Sequence, residues 1–393
     1  MGKTGPVDQP AQHPARRLLS AGTRRARDVA ARARLQTHRL AGYRPRSELV
    51  LPATEVPRAA VPAVDVHNHL GRWLTGGHAW LAPDVPALLA RMDELNIAAI
   101  VNLDGRVGDL EANLDRYDRA HPGRFATFAH VEWHRVAEGP AGTATLVRQV
   151  EAAARAGAAG LKVWKDLGLL VRDERGALVR PDDPRLGDVF DAAGEAGLPV
   201  LVHIGDPPAF FRPVDRFNER LEELTVHPDW SWHGRGVPTH AQLQDAFDAL
   251  VGAHPGTTFI GAHVAGWAEN LQWVGDALDR HPNLVVDTGA RLAELGRQPR
   301  AAAAFIARHP DRVLWGSDSF PFDPDAVARW FRVLETADEA FDYGPVPDQG
   351  RWTVSGLDLP PELLRAVYAD NARRVVPALA GPPRAPERDQ AAL

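Results

Sequence analysis

Eight short apolar runs, separated by longer stretches whose apolar residues recur at helical spacing, make up most of this chain. The alternation predicts repeated β–α units around a parallel sheet. Eight units is the number that closes such a sheet into a (β/α)8, or TIM, barrel, and we predict this α/β fold. The predicted strands are Val61–His69, Ala98–Asp104, Phe125–Trp133, Ala158–Lys165, Pro199–Asp206, Thr257–Val264, Leu284–Ala290 and Val313–Phe320.

An open, doubly wound sheet is the structural alternative. Such a sheet would bind a dinucleotide through a Gly-x-Gly-x-x-Gly turn, and the chain contains neither that motif nor a phosphate-binding P-loop. We therefore place a barrel at residues 61–376, closed from outside by a helix at Pro361–Val375. An Arg-rich, extended or helical arm is predicted for residues 1–60, and a disordered Pro/Ala-rich tail for residues 377–393.

The charge is unevenly distributed. The net charge is −6, yet the first fifty residues hold ten arginines and one lysine against three acids, which leaves an acidic body. This disfavours nucleic acid as a partner, because such binding depends on neutralising phosphates. No stretch has the roughly 20 apolar residues of a membrane span or the apolar core of a secretory signal. We expect a cytoplasmic enzyme with a small-molecule substrate and no membrane partner, and the sequence leaves a homodimer open.

The chain has no cysteine, so a bound metal would have nitrogen and oxygen ligands. His67 and His69 end the first predicted strand, and alternate residues of a strand face the same side. Both imidazoles would then face the barrel interior at its C-terminal end, where barrel enzymes carry their active sites. Taken alone, a His-x-His pair also fits a polar rim.

Polar residues recur at the ends of other predicted strands. His203 follows the fifth apolar run, His263 the sixth and Asp318 the eighth. A buried structural histidine would explain one such position, but not three imidazole sites and a carboxylate. The pattern favours convergence of these residues on one cavity.

These residues stand in motifs that resemble the amidohydrolase superfamily, and especially its amidohydrolase-related branch, which includes aminocarboxymuconate-semialdehyde decarboxylase. The resemblance covers the chain from Val61 to Val375. It rests on Asp65-Val66-His67-Asn68-His69, Gly160-Leu161-Lys162, Val202-His203, Gly261-Ala262-His263 and Gly316-Ser317-Asp318. It implies that the metal ligands are His67, His69, His203 and Asp318, and that His263 is the acid/base.

The chemistry of these side chains agrees with that assignment. Three neutral imidazoles and one carboxylate suit one divalent ion with an open position, where a bound water has a pKa near ~7. Zinc is favoured by the habit of the family, although Mn²⁺ and Fe²⁺ accept the same ligands. Asp318 would touch the metal and also accept the water's proton. His263 would transfer a proton at the substrate, and a role as a further ligand stays open.

Four more residues at strand ends are predicted to contact the substrate. Lys162 and Lys165 lie on opposite faces of their strand, so at most one points into the pocket, and Lys162 could alternatively bridge two metals. Arg291 could clamp an anionic substrate, or it could pair with Asp287 or a helix acid. Trp133 could form a pocket wall or pack in the core.

Two reactions use such a constellation. The sequence favours hydrolysis of an amide, lactam, ester or lactone by metal-activated water. The alternative is non-oxidative decarboxylation of an aromatic or unsaturated acid, which a pocket with two cations and no room for an attacking water would favour. A catalytically silent barrel that serves as a scaffold is a third hypothesis, and the intact histidines and Asp318 argue against it.

Overall fold

The computed structural model describes residues 14–344 and 349–380. The chain divides into two compact units, Met1–Leu51 and Pro52–Leu393. In the first unit the helix α1 spans Pro14–Gln36, and a short 3-10 turn follows at Leu40–Gly42. Residues 1–13 of the predicted arm and residues 381–393 of the predicted tail lie outside the described residues.

The second unit contains a parallel sheet of eight strands. They are β1 Ala63–Asn68, β2 Ile97–Gly105, β3 Phe125–Ala129, β4 Gly160–Val163, β5 Val200–Val202, β6 Phe259–Gly261, β7 Leu284–Asp287 and β8 Val313–Leu314. Each strand pairs with the next in chain order. The N–H of Val66 donates to the carbonyl of Trp315 at 3.0 Å, which links the segment after β8 back to β1. The predicted (β/α)8 barrel is confirmed.

Most strands end before the residues that the sequence predicted. The largest difference is at β8, where the prediction ran to Phe320 but the ladder ends at Leu314. A Cβ at Gly316 would lie 2.7 Å from the Cβ of His67, so the chain approaches β1 too closely for any side chain there. Asp318 then adopts a left-handed φ of 54°. The predicted boundary was wrong because the close approach at Gly316 and the left-handed Asp318 turn the chain out of the sheet.

Helices alternate with the strands along the chain. They are α2 Val85–Glu94, α3 Leu110–Asn113, α4 Pro140–Ala156, α5 Gly187–Glu195, α6 Leu221–Val226, α7 His240–Ala253, α8 Ala262–Ala265, α9 Leu271–Arg280, α10 Leu292–Arg297, α11 Pro299–Arg308, α12 Pro324–Glu335, α13 Pro361–Arg365 and α14 Asn371–Val375. Two short strands, β9 Phe341–Asp342 and β10 Thr353–Val354, form an antiparallel pair. Within residues 14–344 and 349–380, no helix combines the length and apolar character that crossing a membrane requires.

The closing helix predicted at Pro361–Val375 consists of α13, a π-helical turn and α14. Tyr368 in the turn packs against Trp315 and Phe331, with ring centroids 5.7 and 5.9 Å apart. The N–H of Trp315 donates to the carbonyl of Val367 at 2.9 Å. Burial of these large rings fixes the closing helix against α12 and the segment that follows β8.

We expect that deletion of residues 1–45 leaves the barrel folded. The side chains from Arg25 to Gln36 of α1 are exposed, so they bury little apolar surface. The far-UV circular dichroism of the barrel should persist, with a melting temperature within about 2 °C of the full chain. Loss of soluble protein on truncation would instead identify the arm as a packing or oligomerisation element.

Candidate metal centre

Two carboxylates orient the histidines at the end of β1. His67 Nδ1 lies 2.9 Å from Asp287 Oδ2, and His69 Nδ1 lies 2.6 Å from Asp104 Oδ1. Because an ionised carboxylate only accepts, each Nδ1 donates and each Nε2 keeps its lone pair. Histidine ligands of metals commonly donate their second ring N–H in this way. Both rings are therefore set to offer Nε2 to a cation.

Two consecutive hydrogen bonds orient the ring of His203 so that it, too, keeps a free Nε2. His263 Nδ1 lies 2.7 Å from the carbonyl oxygen of Gly289, so Nδ1 donates and Nε2 of the neutral ring accepts. His263 Nε2 lies 3.3 Å from His203 Nδ1, which therefore donates. The lone pair of His203 is thus left on Nε2, as it is on His67 and His69.

The turn after β8 places Asp318 beside the histidines. Asp65 fixes this turn by accepting hydrogen bonds from the N–H of Ser317 at 2.8 Å and from its hydroxyl at 2.5 Å. Asp318 Oδ1 lies 3.7 Å from His67 Nε2 and 3.8 Å from His69 Nε2. Asp318 thus supplies an oxygen donor opposite the two imidazoles of β1.

These donors fit a divalent cation. His67 Nε2, His203 Nε2 and Asp318 Oδ1 are buried atoms without a hydrogen-bond partner among the described residues. Buried polar atoms are rarely left unsatisfied, and orphaned lone pairs on imidazole and carboxylate are what a cation requires. The structure brings the ligand atoms of His67, His69 and Asp318 within 4.8 Å of one another.

His263 belongs to the cluster, whereas the predicted ligand His203 adjoins it through His263 and is in neither potential ligand set among the described residues. The His263 ring lies 4.2 Å from that of His203 and 4.6 Å from that of His67. His263 also forms a second potential ligand set with His67 and Asp287. A ligand role for His263 therefore stays open beside the predicted acid/base role.

Burial sets the charge state of the cluster. Desolvation lowers the pKa values of His67, His203 and His263 well below their usual range. The neutral imidazole that results is the form that binds metals. Burial also raises the pKa of Asp318 to about 6, while the neighbouring His69 and Lys162 act in the opposite direction. A cation beside Asp318 would lower this pKa again, because it favours the carboxylate.

The family model described as amidohydrolase matches residues 64–378 of the chain. The chain belongs to the amidohydrolase family. The resemblance inferred from the sequence motifs is thereby confirmed. A search of curated protein sequences found no match.

Solved structures with the same barrel include two similar proteins. One is a 2,6-dihydroxybenzoate decarboxylase from Rhizobium, with 16% identity, coverage of 81% of this chain and 99% of that chain, and a TM-score of 0.51. The other is an amidohydrolase II, with 13% identity, coverage of 80% and 99%, and a TM-score of 0.50. At these identities the likeness shows the shared fold.

The two lysines of this amidohydrolase are engaged differently. Lys162 on β4 is fully buried, and its Nζ has no hydrogen-bond partner among the described residues. Its Nζ lies 5.6 Å from the Trp164 ring, which is 5.0 Å from the ring of His203, and its charge lowers the pKa values of His67 and Asp318. Lys165 Nζ instead lies 2.7 and 2.8 Å from the two carboxylate oxygens of Asp206. Lys162 is thus the lysine without an ion-pair partner among the described residues.

Arg291 lies beside the same histidines. Its guanidinium donates to the carbonyl of Ala290 at 2.9 Å, and its charge lowers the pKa values of His67 and His263. No carboxylate within the described ranges lies within 4.0 Å of it, so the alternative of an ion pair with Asp287 is not formed. The role that stays open for Arg291 is an anionic ligand.

Trp133 combines the two interpretations that the sequence left open. Its ring packs against Phe190 with centroids 5.8 Å apart, as a core residue does. It also lines a cavity at the C-terminal face of the barrel.

Sequence reasoning missed several functional neighbours. Asp104 was identified only as a polar residue at the end of the second predicted strand and Asp287 only as a possible partner of Arg291, and the sequence did not predict that they orient the β1 histidines. The rings around His69 were not predicted to meet, although two of them lie at or near the ends of predicted strands. These rings lie 6.1, 6.0 and 5.1 Å from the His69 ring and belong to Trp73, Trp164 and Phe320.

Asp104→Asn is expected to weaken metal binding by about 10–100-fold, as loss of a carboxylate that orients a histidine ligand typically does. The amide lacks the charge that holds the Nδ1 proton of His69. Competition with a chromophoric chelator measures the metal Kd. The matched control is Asp93→Asn, which removes an exposed carboxylate paired with Arg124 and should leave the Kd unchanged. Equal affinities in the two variants would contradict the orienting role of Asp104.

Proposed function

We infer that this amidohydrolase is a metal-dependent enzyme that removes a carboxylate from a small aromatic or unsaturated acid without oxidation. The sequence ranked hydrolysis first and decarboxylation second. We reverse that order because of one observation. Two cations without an ion-pair partner among the described residues lie beside the candidate metal ligands.

These cations are Lys162 and Arg291, with exposed fractions of 0% and 6%. Burial lowers the pKa of Lys162 only to about 8, so the ammonium form persists at neutral pH. Asp287, Asp318 and Asp104 support the charge of Lys162 from a distance, and Arg291 acts in the same way on Asp318 and two glutamates, but neither cation has an ion-pair partner within 4.0 Å among the described residues. A bound carboxylate would give each of them a direct partner. An uncharged amide, ester or lactone would leave both cations unpaired. The site therefore favours an anionic substrate.

The wall around His69 favours a flat substrate. Trp73 and Trp164 lie edge to face, with ring centroids 4.6 Å apart, and Phe320 covers another side of His69. Aromatic side chains pack well against the faces and edges of a planar ring. A ring carboxylate would meet this wall with its apolar surface and the two cations with its charge.

Decarboxylation needs a group that binds the carboxylate and a group that supplies a proton. The bond between the ring carbon and the carboxylate carbon breaks, its electron pair stays on the ring carbon, and CO₂ leaves. A proton then takes the vacated position. Asp318 and His263 are the proposed proton-transfer groups, and Asp318 Oδ1 has no hydrogen-bond partner within the described ranges.

A divalent ion held by His67, His69, His203 and Asp318 would supply Lewis-acid stabilisation of negative charge on the substrate. Zinc is the ion that we expect, with manganese or iron as alternatives that the same donors accept. The histidines fix the donor directions through their second nitrogens, and Lys162 and Arg291 orient the carboxylate. The Rhizobium protein, a decarboxylase by its description, is an example of this barrel associated with that reaction.

Hydrolysis is the second candidate, and the position of Asp318 favours it. Asp318 Oδ1 lies 3.7 and 3.8 Å from the Nε2 atoms of His67 and His69, and a carboxylate beside the metal ligands can accept a proton from an attacking water. The same site therefore serves either reaction, and the products must decide.

The deciding experiment follows products rather than substrate loss. Metal content of the purified protein is measured first, and the metal-loaded protein is then incubated with ring carboxylates, amides and lactones in H₂¹⁸O. Release of CO₂ with no ¹⁸O in the remaining organic product supports the lyase. Incorporation of ¹⁸O into an amide or lactone product without CO₂ release would establish the hydrolase instead.

A further inference from the structure

A second group of largely buried charged side chains adjoins the candidate metal centre through Arg291. This charged cluster consists of Glu223, Glu269 and Glu294 with Arg220 and Arg291, whose charges act on one another. Arg220 precedes α6, which carries Glu223, Glu269 follows α8, and Arg291 precedes α10, which carries Glu294. With all five groups ionised, the acids outnumber the cations, so each acid cannot have an arginine of its own.

Arg220 is already shared by two of these acids. It is 1% exposed, and its guanidinium donates to Glu223 at 2.9 Å and also to Glu294. Its Nε has no hydrogen-bond partner among the described residues, but the two carboxylates already balance its charge. Arg291 is therefore the cation of the charged cluster that is left for Glu269.

Glu269 and Arg291 both lack a direct ionic partner. The two carboxyl oxygens of Glu269 are buried and accept no hydrogen bond within residues 14–344 and 349–380. Arg291 has no carboxylate within 4.0 Å in the same part of the chain. Burial and the charge of Glu294 raise the pKa of Glu269, whereas the charge of Arg291 lowers it. A buried acid and a buried cation that stay apart each bear a desolvation cost, which their pairing would offset.

Arg291 also acts on the candidate metal centre. Its charge lowers the pKa values of His263, His67 and Asp318. An arginine side chain has several rotatable bonds, and its planar guanidinium binds a carboxylate in bidentate fashion. Glu269 on one side and a substrate carboxylate on the other would therefore compete for the same group.

We propose that Glu269 is a positioning residue, which holds Arg291 in the substrate-free enzyme and gives it up to the carboxylate of the substrate. An anionic substrate offers Arg291 a replacement for Glu269, whereas an uncharged amide or lactone does not, so the exchange selects anions. Once Arg291 has left, burial and Glu294 favour the protonated form of Glu269 by raising its pKa, and no unpaired carboxylate remains. The exchange rests on the proposed function, but the resting pair does not.

The resting pair is tested on the metal-loaded protein without ligand. Glu269→Gln, Arg291→Gln and the double variant are compared by melting temperature. If the two side chains pair, the double variant should be less destabilised than the sum of the single variants, because either substitution alone already breaks the pair. The matched control combines Arg291→Gln with Glu94→Gln, which removes an exposed acid paired with Arg91, and its shifts should add. Additive shifts for Glu269→Gln and Arg291→Gln overturn the inference.

Calorimetry with benzoate tests the exchange. Glu269→Gln should bind benzoate roughly fivefold or more tightly than the wild type, because the apparent Kd is the intrinsic Kd divided by the fraction of molecules in which Arg291 is free. A residue that only supported the fold would weaken binding or leave it unchanged. The gain should disappear in the Arg291→Gln background. It should also shrink as the pH falls, because a protonated Glu269 no longer holds Arg291 in the wild type.

The outcomes separate the two proposals. Unchanged or weaker binding of benzoate by Glu269→Gln, or a gain that persists in the Arg291→Gln background, overturns the exchange. If Arg291→Gln alone does not weaken benzoate, the carboxylate clamp of the proposed function is wrong, even where the melting temperatures establish the resting pair. A wild type that does not bind benzoate contradicts the proposed function and the exchange together, whereas the melting temperatures still decide the resting pair.

Discussion

His67→Ala and His203→Ala are each expected to lower the affinity for divalent metal by more than about 100-fold, and turnover should be lost with the metal. Removal of a residue that merely orients a ligand already costs about 10–100-fold, so removal of the ligand should cost more. In both residues Nδ1 is occupied by a neighbour within the protein, so Nε2 is the nitrogen available to the ion. Elemental analysis after dialysis, with kcat measured on the same samples, checks the result.

His254→Ala is the matched control. Its Nδ1 pairs with Asp191 at 2.6 Å in a helix-ending turn, away from the strand ends. This variant should keep stoichiometric metal. If His67→Ala and His203→Ala both kept stoichiometric metal and full activity, the proposed centre would be wrong. His203→Ala is the stricter test of the proposed ligand set. The ring of His203 contacts the other candidate residues through the ring of His263 rather than through Asp318.

The place of the site could be predicted from the sequence because a barrel gathers the C-terminal ends of its strands at one face. A polar residue at the end of an apolar run is therefore located by the fold alone. His67, His203, His263 and Asp318 were found in this way. Their exact ligand and proton-transfer roles stay predictions, because these depend on hydrogen bonds between residues far apart in the chain.

The two lysines illustrate what such a pattern does not contain. Strand alternation predicted opposite faces for Lys162 and Lys165, but β4 ends at Val163, so alternation does not determine the orientation of Lys165. It did not indicate which lysine keeps a free charge, since that depends on Asp206, which follows the next strand and neutralises Lys165. The same limit applies to Asp287, which was considered as a partner of Arg291 and instead accepts the Nδ1 proton of His67.

Trp73 shows what local spacing leaves out. It follows β1 in a loop without a recognisable motif, and only the packing of its ring brings it to 6.1 Å from the His69 ring. Loops of this barrel are shaped by contacts among themselves, so their lining cannot be derived from local spacing. The candidate metal ligands are therefore more accessible from the sequence than the reaction or the substrate.

A comparison of His263→Asn with Asp318→Asn should separate proton transfer from metal binding. His263 Nδ1 is held firmly by Gly289 at 2.7 Å, whereas its Nε2 meets His203 at 3.3 Å, a long hydrogen bond that a substrate can replace. His263→Asn should keep the metal and lower kcat by roughly 10²–10⁴-fold, even at saturating metal, which is the usual contribution of general acid–base catalysis. Asp318→Asn should lower both metal affinity and kcat, because Asp318 is assigned to both tasks.

The metal titration makes the comparison decisive. If saturating metal restored the kcat of His263→Asn, the residue would act only by orienting His203. A His263→Asn protein that cannot be loaded at all would place His263 among the ligands, as its proximity to His67 and Asp287 allows. His240→Asn is the control, because His240 is a buried histidine whose Nε2 donates to the carbonyl of Gly266 at 3.0 Å and which belongs to neither proposed ligand set. It should keep both metal and kcat, so a loss shared by His240→Asn and His263→Asn would reflect disturbed packing rather than catalysis.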